Sequence, residues 1–71
     1  MKIDARKLPC PLPLLKLKQA LNRASDGEEI LVLATDPASQ RDFRSFVSQT
    51  KHLLTVIKIE NEFHFTVIKQ S

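Results

Sequence analysis

The 71-residue chain is expected to fold as an α/β two-layer sandwich, βαβαββ, in which a four-stranded mixed sheet carries two helices on one face. Three observations predict this. An amphipathic segment with apolar residues three and four apart is followed by a short unbroken apolar run. A second helical segment opens at Asp36-Pro37, and two alternating stretches close the chain. No repeat, low-complexity tract or linker interrupts it, so residues 1–71 are read as a single domain.

Residues 2–6 are expected to form a short edge strand. From Pro13 to Ala24, Leu14, Leu17, Leu21 and Ala24 share one helical face, with Lys16, Lys18, Asn22 and Arg23 elsewhere around the wheel. Gly27 is expected to close this helix in the left-handed conformation. Ile30-Leu31-Val32-Leu33-Ala34 fits a central strand buried on both faces. Asp36 as N-cap and Pro37 as first helical residue predict a helix from about Pro37 to Thr50, whose Phe43, Phe46 and Val47 face the sheet. Leu53–Glu60 and Phe63–Lys69 are expected to form an antiparallel hairpin around Asn61-Glu62. Parallel pairing of the first two strands would start both helices beyond the strands' carboxyl ends. Cys10 and Asp36 would then lie on the rim where open α/β sheets bind ligands.

A domain of this size buries only about 60% of the surface its unfolded chain exposes, which leaves little to enclose a deep substrate pocket. One cysteine cannot form an internal disulfide, and two separated histidines with that cysteine make no convincing zinc set. No metal and no cofactor are expected. The N-terminus lacks the apolar stretch of a signal peptide and no segment approaches a membrane span, so the expected location is cytoplasmic. Charge is unevenly placed. Residues 1–25 carry Lys2, Arg6, Lys7, Lys16, Lys18 and Arg23 against Asp4, whereas residues 26–71 carry five bases and seven acids. Such an excess is either a solvated helix face or a steering field for an acidic partner or nucleic acid.

The informative segment is Leu8-Pro9-Cys10-Pro11-Leu12-Pro13, in which three prolines surround the only thiol just ahead of the first helix. Pro11 and Pro13 are tolerated there because first-turn N–H groups have no intrahelical partner, and their fixed φ stiffens the approach. Cys10 is the predicted N-cap. The positive end of the helix dipole, with Arg6 and Lys7 nearby, favours a thiolate, while two missing proline donors keep the effect moderate. Two readings of Cys10 follow: a small buried hydrophobe, or an accessible nucleophile. The second is narrowed by what is absent. A Cys-x-x-Cys redox pair is excluded, and His52 and His64 both have plain structural roles as a helix-to-strand junction and an outer-face residue. A solitary thiolate suits sulfur relay, because a neighbouring thiol would discharge a persulfide as a disulfide.

Cys10-Pro11-Leu12-Pro13 resembles the Cys-Pro-x-Pro (CPxP) signature of the TusA/SirA-like sulfur carriers. The resemblance extends through Asp4-Ala5-Arg6, Leu14-Leu15-Lys16-Leu17-Lys18-Gln19-Ala20-Leu21 and Thr35-Asp36-Pro37-Ala38-Ser39 to Asp42-Phe43, covering essentially the whole chain. It implies a sulfurtransferase-type carrier with a persulfide on Cys10, supported by Pro11, Pro13, Arg6 and Asp36, rather than a complete stand-alone enzyme. The implied donor is a cysteine desulfurase or rhodanese-like protein. The implied acceptor is a further relay protein serving tRNA thiolation or other sulfur metabolism. Family members usually have Gly where Lys7 stands, and commonly Gly where Lys51 precedes His52. The alternatives are a non-catalytic protein- or RNA-binding regulatory module and a cytoplasmic acceptor for a thiosulfate transporter. Stable nucleic-acid binding is not expected, because no Tyr or Trp is available for stacking and the Phe residues fall on predicted buried faces.

Overall fold

The computed structural model describes residues 1–9 and 11–70. Its elements follow the expected order: β1 (Lys2–Ala5), α1 (Leu12–Arg23), β2 (Glu29–Ala34), α2 (Ala38–Ser48), β3 (Leu53–Ile59) and β4 (Glu62–Ile68). The strands lie in the order β1-β2-β4-β3. β1 and β2 are parallel, with Ala5 opposite Ala34. β4 runs antiparallel to both β2 and β3.

Alternation along the strands sends Ile30, Val32 and Ala34 of β2 and Phe63, Phe65 and Val67 of β4 to one face. Both helices cover that face. α1 contributes Leu17, Ala20 and Leu21 to the core, and α2 contributes Phe43, whose ring stacks on Phe65 at 4.2 Å between centroids. Phe46 is only half-buried, with the Lys18 ammonium 5.2 Å from its ring centre, so the predicted burial of all four Phe side chains is incomplete. Leu33 is buried although it points to the opposite face, as the unbroken apolar run of β2 requires.

The element ends depart from expectation in instructive ways. α1 starts at Leu12, and Pro11 rather than Cys10 is its N-cap. Cys10 itself lies outside the described residues. The helix gains this turn because the Leu12 N–H reaches the Pro9 carbonyl at 2.9 Å and the Leu15 N–H reaches that of Pro11 at 3.1 Å. Gly27 does not close α1. The helix ends at Ala24 in an extended conformation, and the Lys69 ammonium donates to the carbonyls of Leu21 (2.8 Å) and Ala24 (2.7 Å). A distant side chain thus satisfies helix-end acceptors that a C-terminal glycine motif would otherwise serve. Gly27, at φ 85°, instead turns the chain into β2 and donates to the Lys69 carbonyl.

α2 begins one residue later than expected. Its N-cap is Pro37, yet Asp36 supplies the capping chemistry: Oδ1 accepts from the Ala38 N–H at 2.9 Å and the carbonyl accepts from the Ser39 N–H. The hairpin turn is Glu60-Asn61, one residue earlier than expected, because Ile59 pairs with Glu62. Lys7 (φ 66°) and Glu60 (φ 54°) are the described non-glycine residues at positive φ, and Lys51 is not among them.

Three stability measurements check this account. Lys69→Met should lower unfolding free energy by about 1–2 kcal/mol, because it strips two carbonyls of a charged donor. Ser39, buried on α2, has a hydroxyl without a hydrogen-bond partner among the described residues, so Ser39→Ala should be neutral or stabilising by about 1 kcal/mol. Lys7→Gly should raise stability by about 0.5–1 kcal/mol, the left-handed penalty of Lys less the added chain entropy of Gly. Urea denaturation reads all three, and a destabilised Lys7→Gly would contradict the left-handed geometry.

Candidate functional site

The rim at the carboxyl ends of β1 and β2 is built from the two loops that leave those strands. Beyond β1, Arg6 and Lys7 turn the chain toward α1. Lys7 takes the left-handed conformation, and its N–H donates to Thr35 Oγ1 at 2.9 Å in the loop beyond β2. The Leu8 N–H returns to the Ala5 carbonyl at 3.3 Å, closing the turn. These bonds tie the segment that runs into Pro9 to the neighbouring loop. Asp36, next to Thr35, is engaged at the start of α2, so the two predicted loops do share one rim.

Arg6 pairs with two carboxylates. Its Nε donates to Asp4 Oδ1 at 2.9 Å and its Nη2 to Oδ2 at 2.8 Å, a bidentate pair, while Nη1 reaches Glu62 Oε2 at 3.4 Å. The Arg6 backbone N–H also donates to Asp4 Oδ1. The guanidinium hydrogen bond, reinforced by that N–H, holds the Asp4 carboxyl well below the ordinary carboxylate range. Asp4 in turn, and Glu62 after it, push the Arg6 guanidinium above its ordinary value. Asp4 therefore stays ionised at neutral pH, and the Arg6 charge is balanced by its own neighbours. The cations left to act on an approaching anion are the lysines.

Lys7 and Lys16 line an open cleft of about 710 Å³ on this rim together with Leu8, Thr35 and the Arg6 cluster. All its lining residues but Leu8 are charged or polar, and the cleft is open to solvent rather than an enclosing substrate pocket. Pro9 and Pro11 are exposed, as are Leu12 and Leu15 on the first turns of α1, whereas Pro13 is buried and anchors the helix start. Of the two first-turn donors that the prolines leave, the Leu12 N–H is engaged by Pro9. An anion near this helix start would depend on the lysines more than on a row of open amides.

The histidines are placed elsewhere. His52 Nδ1 accepts from the Gln70 N–H at 3.0 Å at the junction of α2 and β3, and His64 sits half-buried on the outer sheet face, 3.4 Å from Glu62. Among the described residues no three His, Cys, Asp or Glu side chains converge as a metal site requires. Sequence pattern gives Thr35 and Glu62 no site role, and Lys16 enters there only as part of the basic N-terminal excess. Asp4 and Arg6 share a face of the strand expected over residues 2–6 and are pairable in principle, although β1 ends at Ala5 and Arg6 stands in the turn beyond it. Glu62 joins them only through the β2–β4 register, which has no local signal.

With this geometry in place, similarity to known proteins becomes informative. A family model described as sulfurtransferase TusA matches residues 1–69. The sulfur carrier protein TusA of Allochromatium vinosum is 45% identical over 69 residues, covering 96% of this chain and 91% of that one. The crystal structure of a SirA-like protein from Desulfitobacterium hafniense superposes with a TM-score of 0.86 at 19% identity, covering 99% of this chain and 97% of the other, which supports the fold. A family model spanning nearly the whole length, a curated relative of near-equal length and the matching sheet topology agree, and the chain belongs to the TusA family of sulfur carriers.

Proposed function

We propose that this chain carries sulfur as a persulfide on Cys10, taking it from a donor protein and passing it to an acceptor. The observation that carries this reading is a proline-stiffened loop holding the only thiol of the sequence, entered through a tied turn on a lysine-lined rim. In loading, the Cys10 thiolate attacks the terminal sulfur of a donor persulfide. The new S–S bond forms as the donor's S–S bond breaks, and the donor thiolate leaves. Transfer onward repeats the exchange: an acceptor thiolate attacks the terminal sulfur and Cys10 departs as thiolate. Neither step needs an outside oxidant or reductant, because sulfane sulfur changes hands at constant total oxidation state.

The residues around the thiol have distinct parts. Pro11 and Pro13 restrict the backbone angles of the segment that follows the thiol in sequence. Arg6, held by Asp4 and Glu62, acts as a frame for the turn, and Asp36 fixes the start of α2 beside it. Lys7 and Lys16 supply the positive field that favours a thiolate and then a persulfide anion. The donor class is a cysteine desulfurase or rhodanese-like protein, and the acceptor a relay protein in tRNA thiolation or another sulfur-consuming route. No described helix is long and apolar enough to cross a membrane, and the proposed setting is the cytoplasm.

Intact-mass measurement after incubation with a cysteine desulfurase and cysteine tests the reading. The wild-type chain should gain the mass of one sulfur atom, reversed by dithiothreitol, and Cys10→Ser should gain none. A wild-type protein that alkylates readily yet stays unmodified with every desulfurase and rhodanese tried would overturn it. Loading from thiosulfate through a membrane transporter, with none from either protein class, would overturn the donor assignment.

A further inference from the structure

β1 is an edge strand, and its open side faces away from the sheet. The Leu31 N–H donates to the Met1 carbonyl at 2.8 Å, which fixes the phase of the ladder. With the parallel register Lys2↔Leu31 to Ala5↔Ala34, the peptide groups of Met1, Ile3 and Ala5 point toward β2. Those of Lys2 and Asp4 therefore point outward. Two N–H and two C=O groups stand ready along this edge, in the arrangement that strand addition uses.

The edge is not bare on its helical side. An open groove of about 370 Å³ runs between β1 and α1, lined by Met1, Ile3, Lys16, Gln19, Ala20 and Arg23. Its lining holds two side-chain cations, Lys16 and Arg23, and no acid. Among the described residues neither Lys16 nor Arg23 makes an ion pair, in contrast to Arg6. Lys16 and Arg23 are seven residues apart, roughly 10 Å along the helix at 1.5 Å per residue. Same-side residues of an extended strand recur about every 6.6 Å, so two alternate side chains of an added strand span much of that distance. Lys16 also lines the rim cleft, so the two depressions share it as a border.

From these features we infer that the open edge of β1 receives an extended acidic segment of a partner protein, paired to Lys2 and Asp4 through its backbone, with carboxylates on Lys16 and Arg23. The inference rests on the relay reading for the partner's identity alone: the segment belongs to a protein that exchanges sulfur with this chain, and Lys16 borders both the groove and the rim cleft. Charge complementarity selects the occupant. A nucleic-acid strand would meet the same cations, but it offers no amide ladder for the outward groups of Lys2 and Asp4, and no exposed aromatic ring lies in the groove for its bases.

The test uses the intact chain with a synthetic peptide of alternating Glu and Thr, followed by amide NMR shifts. Shifts should concentrate in β1 and in the Lys16–Arg23 face of α1, and Gln in place of Glu should abolish them. Methylating the peptide nitrogens of one alternate set should eliminate binding, and methylating the other set should leave it. Lys16→Glu with Arg23→Glu should weaken affinity about tenfold or more, from two exposed charge pairs replaced by repulsion, with the loss shrinking at high salt. Cys10→Ser should bind as the wild type does, which separates failure of docking from failure of sulfur transfer. Shifts confined to β3 or the outer sheet face, equal binding of the Gln peptide, indifference to N-methylation, or tighter binding of single-stranded RNA to the groove would each overturn the inference.

Discussion

The stacking of Phe43 on Phe65 holds α2 to the sheet, and the arrangement of the rim beyond β1 and β2 depends on it at one remove. α2 is short and buries only Ser39, Phe43 and Val47, so the aromatic contact is its principal anchor. Phe65 lies at the middle of β4, opposite Val32 of β2 and Val56 of β3, where it is fully buried. With α2 fixed, the Thr35-Asp36 loop between β2 and α2 has little freedom. Thr35 then offers its hydroxyl at a set position, and the Lys7 N–H closes onto it. A core contact is thereby relayed through one loop to the turn that enters the cysteine segment.

That turn separates two kinds of positive charge. Arg6 is spent within the fold, clasped bidentately by Asp4 and steadied by Glu62 across the sheet. Lys18 is partly spent as well, lying over the Phe46 ring where α1 meets α2. Lys7, Lys16 and Arg23 keep their charges facing solvent. An exposed ion pair contributes little to stability, so the Arg6 cluster matters more for geometry than for free energy. The unspent lysines act at longer range, raising encounter rates with acidic surfaces and favouring an anion at the rim.

The architecture was legible in the sequence because each element carries its own period. Phe63, Phe65 and Val67 alternate, Leu14, Leu17 and Leu21 repeat as a helix does, and Asp36-Pro37 marks a helix start. The element ends were less legible where long-range contacts decide them. Lys69 closes α1 from 45 or more residues away, which displaces Gly27 from the capping role that local pattern assigns it. The left-handed turn at Lys7 was visible only as a lysine standing where family members usually have glycine. Nothing local marks Thr35 as its acceptor or Glu62 as the second partner of Arg6, since both arise from strand register. Cys10 and the prolines were evident from the motif, whereas the split between spent and unspent cations required the fold.

The parallel pairing of β1 and β2 links the rim to the open edge beside it. Parallel neighbours end on the same side, so their two exit loops meet and can be joined by a single Lys7–Thr35 bond. β4 occupies the other side of β2, which leaves β1 without a second neighbour. The topology that assembles the rim therefore also leaves one open strand edge next to it. Such edges invite aggregation when long and apolar, but β1 spans four residues, alternates Lys2 and Asp4 on its outer face, and presents only two outward peptide units. Backbone pairing over so short a length is too weak to hold a partner unaided. Side-chain charge on α1 must then decide which segments stay, and this couples selectivity for a partner to the same helix that follows the Cys-Pro-x-Pro motif in sequence.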